Sequence, residues 1–240
     1  MRMVVAVMVT AALASCGKSG SAEDDSKARV AAEKQTLAPI IEKHRAIAGK
    51  KFEALQKVDA EAIAAPNVTT PEPIAEKLRS SQTRPSQMDL EQDGILIASP
   101  GWLAGPSSER VKLALWPTLV DGPKLKQLFA EGYWDTSGYA TTAAVEGSLD
   151  RLSKVNHIIF VRTRAYTEPT VDDSTKSFTP PSAAGDVLVY SIPDGKRVAA
   201  SPFEHTLARD KITTKLTGLE AVNLSFKTEV LRQVIDQVVE

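Results

Sequence analysis

The chain has 240 residues, 42% of them hydrophobic and 25% charged, the balance of an ordinary globular protein rather than a disordered one. Lys plus Arg (29) nearly equals Asp plus Glu (30), so there is no basic field to hold nucleic acid, and nucleic acid is not expected as a partner. The single cysteine, Cys16, cannot close an internal disulfide, so a packed core must hold the fold together.

Residues 1–15 carry one cation, Arg2, then an apolar run over residues 3–12 broken only by Thr10, then small residues. That is the layout of a secretory signal, and the run is shorter than the roughly 20 apolar residues needed to cross a bilayer. Leu13-Ala14-Ser15-Cys16 follows, an aliphatic residue and two small ones before a cysteine. This tetrad resembles the lipobox of bacterial lipoprotein precursors at all four positions. The resemblance covers about the first 16 residues. It implies cleavage before Cys16, lipidation of its sulfur and acylation of the new amino terminus, with the membrane as partner through that lipid. Gly17, where an Asp would hold a lipoprotein at the inner membrane, implies the outer membrane in a Gram-negative host, facing the periplasm or the cell surface.

Residues 16–35 are expected to be the lipidated cysteine and a flexible tether, because residues 17–27 are small or charged with no apolar periodicity. Gly17-Lys18-Ser19 lacks the earlier glycine of a phosphate-binding loop, since Ala12 stands there. Over residues 36–65, Leu37, Ile41, His44, Ala48, Phe52, Leu55 and Ala62 recur at threes and fours and predict an amphipathic helix. Pro39 places its start near Thr36, in the first turn, where a missing N–H costs nothing. Residues 66–93 hold Pro66, Pro71, Pro73 and Pro85 among polar residues and read as a long connection, with at most a short helix near residues 74–78.

An α+β domain is expected over residues 94–240. Ile95, Leu96 and Ile97 form a short buried strand between turn residues, and residues 110–116 alternate, with Val111, Leu113 and Leu115 on one face. Leu125, Leu128 and Phe129 predict one short helix, and Val145, Leu149, Leu152 and Val155 a second, from near Thr141. All three tryptophans, Trp102, Trp116 and Trp134, fall between residues 94 and 139 with Tyr133 and Tyr139. Such rings fill a core poor in other aromatics; the alternative is that they line a groove for a glycan or peptide.

Residues 156–166, 186–192 and 196–203 read as strands, the last two joined by the Pro193-Asp194-Gly195 turn, and Pro202 puts the last strand at an edge. Arg162 and Arg164 lie two apart on the first of these strands. Paired guanidiniums can hold a carboxylate or phosphate, but as the strand leaves the core they are expected to meet solvent, Glu168 or Asp172. Phe226, Val230, Leu231, Val234, Ile235 and Val238 predict a C-terminal helix over residues 226–240, capped by Ser225.

The expected fold is therefore α+β, an antiparallel sheet packed on one face against helices, with a long amphipathic helix at the N-terminal side and a second at the C-terminus. His44, His157 and His205 are scattered without metal-ligand spacing, so no metal and no cofactor is implied, and no catalytic set stands out. The expected function is that of an envelope lipoprotein binding a partner protein without catalysis. The alternative is an envelope enzyme or a glycan- or peptide-binding module using the tryptophan segment.

Overall fold

The computed structural model describes residues 22–98, 122–132, 142–172, 174–175, 177–208 and 218–240. Helix α1 (Ala22–His44) passes through a π-helical turn, Arg45–Gly49, into α2 (Lys50–Ala64). Then come α3 (Gln87–Gln92), β1 (Ile95–Ala98), α4 (Gly122–Glu131) and α5 (Thr142–Lys154). The rest is β2 (His157–Thr167), the small hairpin β3 (Thr170–Asp172) and β4 (Ser177–Thr179), β5 (Ser182–Ser191), β6 (Lys196–Thr206) and α6 (Gly218–Val238).

The α+β class and both flanking helices are those the sequence predicts. The main sheet runs β1-β2-β5-β6, antiparallel across β2, β5 and β6, but β1 lies parallel to β2, with Ile95 opposite His157 and Ala98 opposite Phe160, so the sheet is mixed. Helices also cover both faces, where one was expected. Because strand side chains alternate, Leu96, Ile158, Phe160, Leu188 and Tyr190 pack with residues of α1, α2, α4 and α5. Their neighbours Ile97, Ile159, Val161, Val187 and Val189 pack with Val222, Phe226, Val230 and Val234 of α6. A strand buried on both faces reads as a continuous apolar run, which is how all four residues of β1 come to be buried.

The N-terminal helix departs from expectation: it starts at Ala22, inside the stretch read as tether, and carries Pro39 in its interior. Its packed part does begin at Leu37, followed inward by Ile41, His44 and Ala48. The earlier residues are rich in Ala, Glu, Lys and Arg, which extend a helix that packing has already nucleated. Apolar periodicity detects the packed part only.

The connection differs too. Instead of a helix near residues 74–78, the chain runs extended along the sheet edge. Glu72 and Ala200 exchange backbone hydrogen bonds (2.6 and 2.9 Å), and Leu78 bridges to Val239. The Glu72 carboxylate also takes the Arg197 guanidinium (2.8 Å). Further on, Ser86 and Asp89 form a capping box that starts α3.

The Pro193-Asp194-Gly195 turn is present, with Gly195 at φ 60°. β6 is an edge strand as Pro202 requires, and it runs to Thr206, three residues beyond the expected end at Phe203. The N–H of Ala200 points outward to Glu72, and two residues on the missing N–H of Pro202 falls on the same outer side. The C-terminal helix begins at Gly218, so Ser225 lies inside it rather than at its cap. The strand expected over residues 110–116 lies outside the described residues.

Candidate functional site

Of the residues the sequence singles out, Arg162 and Arg164 fall within the described structure. Cys16, Trp102, Trp116 and Trp134 lie outside it.

Arg162 stands directly across the ladder from Asp186, on the face that also carries Phe160 and Leu188. Its Nη2 donates to Asp186 Oδ2 at 2.7 Å and to the carbonyl of Pro66 at 2.9 Å. Its Nη1 donates to the carbonyls of Ala62 (3.1 Å) and Ala65 (2.5 Å). Ala62 lies in the last turn of α2, where helical carbonyls run out of N–H partners and the helix dipole favours a cation. A planar guanidinium with a fixed fork of donors meets this set of acceptors, where an ammonium would serve fewer.

Asp186 is wholly buried; its Oδ1 accepts the Val68 N–H at 3.2 Å and lies 3.6 Å from Arg164 Nε. Arg164 reaches it through an irregularity in the strand. The register shifts between Thr163 and Ala165, so Arg164 opposes no residue of β5, and its Nη2 donates to the Gly185 carbonyl at 3.3 Å. The extra residue of such a bulge re-aims a side chain.

The cluster is thus Asp186 between two arginines, closing α2 and the start of the connection onto the sheet. Both arginines meet Asp186, and Arg164 is exposed and so also meets solvent, as expected. Asp172 is engaged in its own turn, accepting from Ser174 Oγ (2.6 Å) and Ser174 N (2.9 Å), and these hydrogen bonds hold its carboxyl down to about 2. A carboxylate or phosphate from outside could take Arg162 only by releasing the helix end. The sequence analysis does not single out Asp186: it heads the apolar run 187–190, but that it opposes Arg162 follows only from the alignment of β2 with β5.

The histidines occupy three separate places. His44 is buried between α1 and α5, its ring nitrogens each 3.7 Å from a carboxylate, Glu146 and Asp150, while Lys43 also pairs with Glu146. His205 lies 3.3 Å from Glu229 and against the ring of Phe226. His157 lines a 470 Å³ cavity with Lys77, Asp93, Ile95 and Val198, and burial pushes its imidazole below the usual range. In that cavity Asp93 accepts from Ser80 Oγ and Ser81 N at 2.8 Å each, bonds that hold it charged. A 680 Å³ cavity beside α6 is lined by Arg84, Ser86, Leu231, Arg232, Ile235 and Glu240, and there the Ser86 hydroxyl is bound to Asp89 at 2.7 Å. The first cavity is lined by a histidine without a hydroxyl or thiol, and the second by hydroxyls without a histidine. No group of three or more His, Cys, Asp or Glu among the described residues is placed to hold a metal ion. No helix among them is long and apolar enough to cross a membrane.

No protein-family profile, no curated protein and no solved structure matches the chain.

Proposed function

We propose that the chain is the precursor of a bacterial envelope lipoprotein, anchored by lipid on Cys16, whose folded domain acts by binding a partner protein rather than by catalysis. One observation carries the reading: Leu13-Ala14-Ser15-Cys16 directly after the Arg2-led apolar run of residues 3–12. Two or three acyl chains on one residue anchor firmly, since each buried methylene contributes about 0.8 kcal/mol and one chain alone binds marginally. Gly17 favours the outer membrane in a Gram-negative host. The non-catalytic part draws support from Arg162 and Arg164, the pair the sequence singles out for an anionic ligand: both face Asp186, and Arg162 is also taken up by the end of α2.

The test is metabolic labelling with a fatty acid in a bacterial host. Wild type should take up label and partition with membranes. Cys16→Ser should take up none and be found as precursor or as soluble material. Equal labelling of the two, or an unmodified Cys16 by mass spectrometry of the mature wild type, would overturn the anchor.

A further inference from the structure

Between Cys16 and the packed domain, residues 22–36 form the first half of α1. We propose that this half-helix is a rigid standoff, which keeps the lipid-proximal end of the chain and the folded domain a set distance apart. The inference rests on Cys16 being the anchor.

The half-helix buries almost nothing. From Glu23 to Thr36 the residues are exposed apart from Val30 and Glu33, which are partly covered, and the first core contact is Leu37. Packing therefore does not explain its shape, and local chemistry does. Ala28, Ala31, Ala32, Lys27, Arg29, Lys34 and Gln35 are among the residues a helix accepts at least cost. Glu23, Asp24 and Asp25 in the first turn face the positive end of the dipole. Glu23 pairs with Lys27 at 2.8 Å, the acid preceding the base by four, which is the favourable order.

Length alone would leave such a segment marginal, because an isolated helix must pay for its own nucleus. Here Leu37, Ile41, His44 and Ala48 are fixed against the core, so the exposed half only has to propagate outward from an existing turn. Pro39 stands at the junction on the exposed side. Its missing N–H frees the carbonyl of Gln35, which is exposed and can be hydrated.

At 1.5 Å per residue the fifteen residues 22–36 span about 22 Å. A flexible chain of equal length has a similar root-mean-square span, about 5–6 Å times the square root of its length. The two differ in spread, because the chain can collapse and the helix cannot.

Full-length lipidated protein in phosphatidylcholine vesicles, spin-labelled at Glu23→Cys and Gln56→Cys, tests this by pulsed distance measurement. A single narrow distance is expected. Deleting residues 26–32, close to two turns so that the helix phase is kept, should shorten it by about 10 Å without widening it. Ala31→Gly combined with Ala32→Gly should broaden it. A wild-type distribution as broad as that of the double-glycine variant overturns the standoff while leaving the anchor intact. Failure of the protein to enter vesicles overturns the anchor, and the standoff with it.

Discussion

Arg162 and Asp186 face each other directly across the β2–β5 ladder, 2.7 Å from Nη2 to Oδ2, with the carboxylate wholly buried and the guanidinium nearly so. Two charges withdrawn from water cost several kcal/mol each, offset only where geometry and further hydrogen bonds are good. Three carbonyls from residues 62, 65 and 66 and the N–H of Val68 supply those bonds. The pair therefore binds three separate stretches of chain together.

Removing either partner leaves the other charged and buried. Arg162→Met should destabilise the domain by about 3–5 kcal/mol. Arg162→Lys should recover little of this, because an ammonium cannot serve the same acceptors. Denaturant unfolding of the single variants and of Arg162→Met with Asp186→Leu gives the coupling. A double variant losing the sum of the two singles would show that the pair contributes nothing as a pair.

The same substitution should act in opposite directions at two glycines. At Gly185 a β-carbon would collide with the carbonyl of Arg162 and lie 2.8 Å from the Phe203 ring. Gly185→Ala should cost about 2–4 kcal/mol and loosen the β2–β5 register, a strain of the overpacking kind. At Gly147, inside α5, a β-carbon meets nothing within 4 Å, and Gly147→Ala should stabilise by about 0.5–1 kcal/mol through lower chain entropy. Melting curves decide it, and similar shifts at both positions would contradict the close approach at Gly185.

Asp59 on α2 is half-buried, and burial pushes its carboxyl up from 3.8 to about 6. One of its oxygens, Oδ1, is buried without a hydrogen-bond partner among the described residues. The folded state thus holds its proton to higher pH than the unfolded chain does. The resulting loss of stability is absent below about pH 4, grows as pH rises to about 6, and is constant above that. Asp59→Asn should therefore be more stable than wild type at pH 7, by about 1–2 kcal/mol once the part still in contact with solvent is discounted, and nearly equal to it at pH 4. Urea unfolding at both pH values is the measurement. An equal advantage at both would assign the effect to something other than ionisation.

The sequence pattern found elements where apolar spacing or turn residues mark them. The spacing of Val145, Leu149 and Leu152 located α5, and the turn residues Pro193-Asp194-Gly195 located the β5–β6 hairpin. It underestimated α1 because exposed helix has no apolar period, and α6 because Ser225 resembles a cap while lying inside the helix. Ser86-x-x-Asp89 has the spacing of a capping box, a signal that stands amid prolines marking the stretch as a connection. Partners were the least legible. Which carboxylate meets Arg162 depends on how β2 and β5 align, and neither sequence spacing nor charge pattern encodes that alignment. The parallel placement of β1 was hidden for the same reason, since a strand buried on both faces carries no sign of direction.

That parallel strand bears on the order in which the chain assembles. Strands β2, β5 and β6 follow one another closely, whereas β1 joins β2 only after the long excursion through α4 and α5. Closing Ile95 onto His157 costs about 1 kcal/mol more loop entropy than closing Thr167 onto Ser182. Long-range pairings form slowly, so the three-stranded meander is expected to form before β1 joins it. Until β1 docks, the outer backbone edge of His157, Ile158, Ile159 and Phe160 stands open, flanked by the most apolar side chains of the strand. An open apolar edge is a template for pairing with another chain. Docking of the four residues of β1 therefore ends the interval in which the half-folded protein is open to self-association.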